Sequence, residues 1–169
     1  MCNHFNSHDV VLANEVLTAI EKPASIFLSR EGLSPIVVNL FKKAGSTIID
    51  RSDKNSSLEG ITDMAQKIYN GRFGVIFGES TWNLHPTKPM LDLRIGGAKI
   101  AAIAGKPLVP TIFEYFEADK VLSSEKELYD LCVVKFGRPI EIVEEESLVD
   151  QTREIQRTME ESRIELWGG

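Results

Sequence analysis

The chain has 169 residues, of which 43% are hydrophobic and 26% charged, a composition that suits one globular domain with a hydrophobic core. Its formal charge of −6, its pI of about 5.2 and the lack of a basic stripe interleaved with aromatic residues exclude a general affinity for nucleic acid. The longest apolar runs are shorter than the roughly 18 to 20 residues of a membrane-spanning helix, so any membrane contact is expected to be peripheral.

Helix-like and strand-like segments then alternate along the chain, which favours an α/β fold. The strand-like runs are apolar throughout, as in a sheet covered on both faces, so we expect a largely parallel central sheet flanked by helices. In chain order the patterns predict a helix over Val10–Ile20, a strand over Ser25–Leu28, a helix over Ile36–Lys43, a strand over Thr47–Ile49, a helix over Leu58–Asn70, a strand over Phe73–Phe77, a helix over Leu93–Ala104, and strands over Leu108–Ile112 and Leu131–Phe136. Pro110, inside one of these strands, predicts an edge or a bulge.

The last segment, about residues 147–167, is predicted to be a helix that docks on the rest of the domain. Its polar face mixes Glu with Arg, unlike the basic face of a helix that lies on a membrane. Its apolar residues recur near the helical period: Leu148, Ile155, Met159 and Leu166. Since no repeat, low-complexity tract or linker is visible, residues 1–169 are expected to form a single domain.

The first candidate for chemistry is the segment NHFNSHDV, which places His4 five residues before Asp9. A carboxylate held at the start of the first helix can bind one imidazole nitrogen, so that the other nitrogen faces the substrate as a general base. Asp9 could equally be only a helix cap. The spacing of His4, His8 and Asp9 is also compatible with a metal site, although only the lone His85 follows, and a metal is not favoured.

The two cysteines, Cys2 and Cys132, are too few for a disulfide scaffold, which indicates a reducing, cytosolic compartment. Cys2 lies close to His4 in the sequence, and a Cys/His nucleophile pair is one alternative. The favoured interpretation is a small core residue, so neither cysteine is assigned a catalytic role.

Polar residues also follow two of the predicted strands, at the end where parallel sheets bind ligands. Asp50 and Arg51 follow the strand Thr47–Ile49; the guanidinium could hold a phosphate, or the two could form only a surface ion pair. The strand at Val75–Phe77 runs into a second group of residues: Gly78, Glu79, Ser80 and Thr81. Backbone N–H groups there could bind an anion or an oxyanion, or form an ordinary turn.

These segments, in this order and at these intervals, resemble the glycerolipid acyltransferase family, which includes 1-acyl-glycerol-3-phosphate acyltransferase. The His-x4-Asp motif of that family resembles His4 to Asp9, and its Gly-x-x-φ-Ile-Asp-Arg block resembles Gly45 to Arg51. Its Phe-Pro-Glu-Gly-Thr block resembles Phe77 to Thr81, and its final Val-Pro block is similar to Leu108–Ile112. Arg94 stands where a Lys commonly precedes a helix of small residues, and the resemblance spans roughly residues 3 to 140.

The resemblance implies direct transfer of a fatty acyl group from a thioester, on coenzyme A or acyl carrier protein, to the hydroxyl of a lysophospholipid or 1-acyl-glycerol-3-phosphate in phospholipid synthesis or remodelling. His4 would be the base and Asp9 would orient it. The acceptor would be bound by the remaining matched positions: Arg51, Glu79, Ser80, Thr81 and Arg94. No metal or organic cofactor is implied, the acyl thioester being a co-substrate, and the expected location is cytoplasmic and peripheral to the membrane.

Three positions depart from the family pattern, and they bear on the loop geometry and on the preferred acceptor. Gly78 and Ser80 stand where the family has Pro and Gly, so the backbone is expected to be looser at Gly78, and Ser80 adds a side chain where a tight turn is expected. Trp82 stands where many relatives have an Arg, which removes one candidate phosphate contact. A lysophospholipid with a larger headgroup is therefore favoured over a phosphate monoester, and both acceptors stay open. Only three residues precede His4, where relatives usually carry a helical segment, so a fragment and a misread start are two interpretations that stay open. A catalytically impaired lipid- or partner-binding relic of the same fold is the alternative.

Overall fold

The computed structural model of the chain describes residues 1–3, 8–19, 21, 23–84, 88–116 and 131–168. Helices and strands alternate, as an α/β fold requires. In chain order the elements are α1 (His8–Ala19), β1 (Ala24–Ser29), α2 (Pro35–Lys43), β2 (Thr47–Ile49), α3 (Lys54–Tyr69), β3 (Phe73–Ile76), α4 (Gly96–Ala104), β4 (Thr111–Phe116), β5 (Leu131–Phe136) and α5 (Leu148–Gly168).

The central sheet is parallel and has the strand order β2-β1-β3. Phe27 of β1 lies opposite Thr47 of β2, and Ile26 of β1 lies opposite Val75 of β3. Helix α2 connects β1 to β2, and helix α3 connects β2 to β3. Because the three strands run in the same direction, their carboxyl ends meet at one edge of the sheet.

Residues 1–3 join this sheet to the pair formed by β4 and β5. Cys2 forms parallel bridges with both Phe77 and Thr111. Its N–H donates to the carbonyl of Ile76 at 2.8 Å, and the N–H of Thr111 donates to the carbonyl of Met1 at 2.8 Å. Only the pairing of β4 with β5 is antiparallel among the described strands, so the predicted, largely parallel sheet is confirmed.

The two faces of the sheet carry different helices, because side chains alternate along each strand. Ile26 and Val75 pack with Leu17 of α1 on one face. Phe27 and Ile76 pack on the other face against α3 and α4, through a cluster that contains Met64, Ala65, Ile100 and Ala104. The apolar character of the strands thus has the expected cause, a covering of helices on both faces.

The C-terminal helix α5 packs on a third cluster. Ile155 and Met159 are fully buried against Leu93, Leu108 and Ile112. The predicted C-terminal helix and its apolar stripe are therefore confirmed. None of the helices in the described part of the chain has the length and apolarity needed to cross a bilayer.

Three predicted starts were wrong by three or four residues, each because of a specific polar contact or a proline. Helix α3 begins at Lys54 rather than Leu58, since the Asp53 side chain accepts from the N–H of Asn55 and caps the helix. Strand β4 begins at Thr111, because Pro110 has no N–H and separates it from an isolated bridge at Leu108.

Helix α4 begins at Gly96 rather than Leu93. The N–H of Leu93 donates to Gln156 at 3.0 Å, and the N–H of Arg94 donates to the carbonyl of Gly78 at 2.9 Å. These amides are thus engaged in tertiary contacts, and the residues that carry them form the approach to the helix rather than its first turn.

Candidate active site

The carboxyl edge of the parallel strands brings together three residues that the sequence singled out, Asp50, Arg51 and Glu79, and two that it did not, Asn3 and Arg30. Asn3 follows the bridge at Cys2, Arg30 follows β1, Asp50 and Arg51 follow β2, and Glu79 follows β3. In open α/β sheets, ligands bind in the crevice outside this edge. The topology therefore brings together segments that lie far apart in the sequence.

Asn3 is a buried residue that sequence analysis missed. Its side-chain amide pairs with the backbone of Phe113 in both directions: Nδ2 donates to the carbonyl oxygen at 2.8 Å, and the Phe113 N–H donates to Oδ1 at 2.7 Å. Asn3 is 0% exposed, so these two bonds are shielded from water. The residue directly before His4 is thereby held against β4.

Asp9 lies in the first turn of α1 and is fully buried. A carboxylate at this position is favoured by the positive end of the helix dipole. His4 lies outside the described residues, so its predicted contact with Asp9 stays a prediction. The same holds for a metal site with His8 and His85, while no metal-binding group of three or more His, Cys, Asp or Glu occurs among the residues that the structure describes.

Cys2 is buried between the sheets and is not suited to act as a nucleophile. Burial raises the pKa of its thiol and outweighs the opposite effects of the N-terminal ammonium of Met1 and of the hydrogen bond with Thr111. The reactive thiolate is therefore scarce near neutral pH. This supports the interpretation of Cys2 as a core residue rather than as half of a Cys/His pair.

Asp50 and Arg51 have different partners at the end of β2. The pKa of Asp50 is lowered, chiefly because the hydroxyl and the N–H of Ser52 donate to its carboxylate, with a further contribution from Arg30 at 3.3 Å. Arg51 lies 3.9 Å from Glu31 and its side chain is 42% exposed. Asp50 and Arg51 thus pair with Arg30 and Glu31 of the segment after β1 rather than with each other. The Arg51 guanidinium stays accessible to a ligand.

Glu79 is 3% exposed and points inward. Its Oε2 accepts a hydrogen bond from the N–H of Leu91 at 2.7 Å. In this arrangement the carboxylate holds the segment that leads to Arg94. Thr81 and Arg94, in contrast, are exposed.

The loop after β3 differs from the expectation of a loosened backbone at Gly78. The Gly78 N–H donates to Cys2 O at 2.9 Å, and its carbonyl accepts from Arg94. A Cβ at Gly78 would lie 2.6 Å from Sδ of Met1 and 2.8 Å from Leu93, so the glycine permits close packing there. That expectation was wrong because both backbone groups of Gly78 are engaged.

Ser80 adopts a left-handed conformation with φ of 64°. A glycine, as in the family pattern, adopts this conformation without strain, whereas a residue with a Cβ is disfavoured by about 1 to 2 kcal/mol. The N–H groups of Gly78 and Ser80 donate to the carbonyls of Cys2 and Phe77. These two amides are therefore engaged within the protein rather than directed at an anion.

An apolar cavity of about 700 Å³ lies beside residues 1–3. Cys2, Thr111 and Phe113, which surround the Asn3 segment, line part of it. The remaining wall is largely aliphatic and aromatic, and includes Val16, Leu17, Val75, Ile100, Val134 and Phe136. Its size falls within the range of small-molecule binding cavities.

The fold and the edge described above define an α/β protein with candidate ligand-binding residues at the carboxyl ends of its parallel strands. The sequence model of the family described as Acyltransferase matches residues 1–114. The chain therefore belongs to the acyltransferase family, and the resemblance inferred from the motifs is confirmed at that level.

The fold is also similar to a crystal structure, that of the 1-acyl-sn-glycerophosphate (LPA) acyltransferase PlsC from Thermotoga maritima. The TM-score is 0.66 at 16% sequence identity, and the match covers 99% of this chain. The chain spans 65% of the length of that protein. No curated protein sequence matches the chain.

Proposed function

We propose that this chain catalyses the transfer of a fatty acyl group from a thioester, on coenzyme A or acyl carrier protein, to the hydroxyl of a lysophospholipid or a 1-acyl-glycerol-3-phosphate. The observation that carries the proposal is the family match over residues 1–114, because it includes every candidate site residue. The activity named for the PlsC structure supports the same class of acceptor.

In the proposed reaction, the neutral imidazole of His4 accepts the proton of the acceptor hydroxyl. The hydroxyl oxygen attacks the thioester carbonyl, the C–S bond breaks, and the leaving thiolate takes the proton from the imidazolium. Asp9 orients His4 and stabilises its charged form. Asn3 holds the backbone before His4, and because its two bonds to Phe113 are buried, the base has a rigid support.

The acceptor and the acyl chain have different requirements, and the molecule offers a suitable surface for each. The exposed guanidiniums of Arg51 and Arg94 are suited to a phosphate group of the acceptor. The apolar cavity beside Cys2 is suited to a fatty acyl chain, since burial of each CH2 group from water contributes about 0.8 kcal/mol. No metal or organic cofactor takes part in the proposed reaction.

The test is a comparison of His4→Ala with His8→Ala in the full chain. Labelled acyl-CoA and acyl carrier protein thioesters are incubated with a panel of lysolipids in mixed micelles. We expect kcat to fall by about 10²- to 10⁴-fold in His4→Ala, as for loss of a general base. His8→Ala is expected to keep activity, and a loss there together with bound metal would favour the metal-dependent alternative. Wild-type chain that transfers no acyl group to any lysolipid would overturn the proposal.

A second candidate, a lipid-binding relic without turnover, is favoured by one observation. Ser80 occupies a left-handed position that the family pattern gives to glycine. This candidate predicts lysolipid binding that persists in His4→Ala and an absence of acyl transfer by the wild-type chain. Equilibrium binding of a fluorescent lysolipid, measured on both proteins, distinguishes it from the enzyme.

A further inference from the structure

The segment 88–94 contains one candidate acceptor-binding residue, Arg94, and contacts a second, Glu79. It follows the loop after β3 and ends directly before α4. The N–H of Leu91 donates to the carboxylate of Glu79 at 2.7 Å, and the N–H of Arg94 donates to the carbonyl of Gly78 at 2.9 Å. The position of Arg94 therefore depends on how this segment is held.

Helix α5 holds the segment from the opposite side. Oε1 of Gln156 accepts from the N–H of Leu93 at 3.0 Å, while Nε2 of Gln156 donates to Glu160 at 2.8 Å. One turn of helix away from Glu160, the guanidinium of Arg163 donates to the carbonyl of Pro89 and to the carboxylate of Glu114. Both ends of segment 88–94 are thus bound by the same helix.

The contacts made by Arg163 are protected from water, and this restricts the positions that the bonded groups can adopt. Arg163 is 5% exposed and Glu114 is 7% exposed, and Met90 in the segment is fully buried. Ile155 and Met159 anchor the same helix in the core. A buried, hydrogen-bonded network has few alternative arrangements, so the helix restricts where the segment can lie.

We infer that Gln156 and Arg163 are positioning residues of the acyl-transfer site, acting through segment 88–94 on Glu79 and Arg94. This inference rests on the proposed function. Helix α5 lies beyond residues 1–114, so the family match does not include it. Because Arg94 is assigned to the acceptor, a loosened segment weakens acceptor binding more than it slows the chemical step.

Gln156→Leu is the informative variant, because it removes the acceptor for Leu93 while leaving the buried Arg163–Glu114 pair intact. Gln151→Leu is the matched control: it lies on the same helix, and its side chain exchanges two hydrogen bonds with Val143, at 2.9 and 2.8 Å.

Two readouts are needed, exchange of the Leu91 amide by NMR and steady-state kinetics in the full chain. In Gln156→Leu we expect the Leu91 amide, whose own acceptor Glu79 is unchanged, to exchange at least tenfold faster. We expect KM for the lysolipid to rise about fivefold to tenfold, as for loss of one hydrogen bond, with kcat within about twofold of wild type. Gln151→Leu should match wild type in both readouts.

Unchanged Leu91 exchange in Gln156→Leu would overturn the inference, as would an unchanged KM in an active enzyme. A wild-type chain without acyl transfer would overturn the proposed function instead. Faster Leu91 exchange in Gln156→Leu would then still support the structural link between α5 and Glu79. The two failures are therefore distinguishable.

Discussion

Of the three buried residues that precede His4, Asn3 and Cys2 affect the proposed chemistry in different ways. Asn3 satisfies both its donor and its acceptor with the backbone of Phe113, so it supports the chain before the base. Cys2 is enclosed between β3 and β4, and burial raises the pKa of its thiol. Asn3 provides rigidity, and Cys2 fills space in the core.

Replacing Cys2 with Ala should therefore leave catalysis intact. We expect kcat within about twofold of wild type, because a protonated thiol does not act as a nucleophile. The free energy of unfolding should fall by about 1 kcal/mol, since a buried sulfur atom is removed. Kinetics and urea denaturation measure the two effects. Loss of turnover as large as in His4→Ala, with the fold retained by circular dichroism, would indicate a covalent acyl-enzyme.

At the scale of elements, the contact between α3 and β2 supports the strand that delivers Arg51. The Thr47 hydroxyl donates to Asp63 at 2.5 Å, and the Lys67 ammonium donates to the same carboxylate at 2.6 Å. Partial burial alone would raise the pKa of Asp63, but these hydrogen bonds from Lys67 and Thr47 outweigh it and lower the pKa. The ionised carboxylate is therefore more favoured in the folded protein than in the unfolded chain.

Because of this difference in pKa, the contribution of Asp63 to the free energy of unfolding depends on pH. Because the folded pKa is depressed, the stabilisation is fully present above the unfolded pKa and is lost as pH falls through the folded pKa. Asp63→Asn should lower the free energy of unfolding near neutral pH by less than about 1 kcal/mol, since the side chain is 50% exposed and water screens the ion pair. Urea denaturation at neutral and acidic pH measures it. If Asp63→Asn were still less stable than wild type at acidic pH, the proposed link between the Asp63 pKa and stability would be contradicted.

The limits of helices and strands illustrate what local sequence patterns omit. The apolar period predicted helices in the regions of α3 and α4, because that signal arises from residues three or four positions apart. The wrong starts have different causes. The cap at Asp53 is a local signal that the apolar period does not contain, whereas the bond between Leu93 and Gln156 joins residues 63 positions apart.

At the scale of the whole molecule, the ion pair between Glu114 and Arg163 connects β4 to the C-terminal helix across 49 positions. The two side chains are almost fully buried, and Arg163 also donates to Pro89. Removal of one partner leaves a buried charge without its counter-ion, which typically costs 3 to 5 kcal/mol.

Arg163→Met should accordingly reduce the free energy of unfolding by about 3 to 5 kcal/mol. The double variant Glu114→Leu/Arg163→Met should recover most of that loss, because no unpaired charge then remains in the core. Urea denaturation of the wild type, both single variants and the double variant gives the coupling energy. A double variant as unstable as Arg163→Met would show that the bond to Pro89, rather than the ion pair, carries the effect.

The sequence by itself determined the α/β class, the largely parallel sheet, the C-terminal helix and membership of the acyltransferase family. These depend on local periodicity and on short motifs, which are present in the chain before it folds. The tertiary structure alone decided that Asn3 pairs with Phe113, that Glu79 faces Leu91 and that α5 holds segment 88–94. Polar contacts between distant residues leave no periodic trace in a sequence, because each requires only one donor and one acceptor that the fold brings within hydrogen-bonding distance.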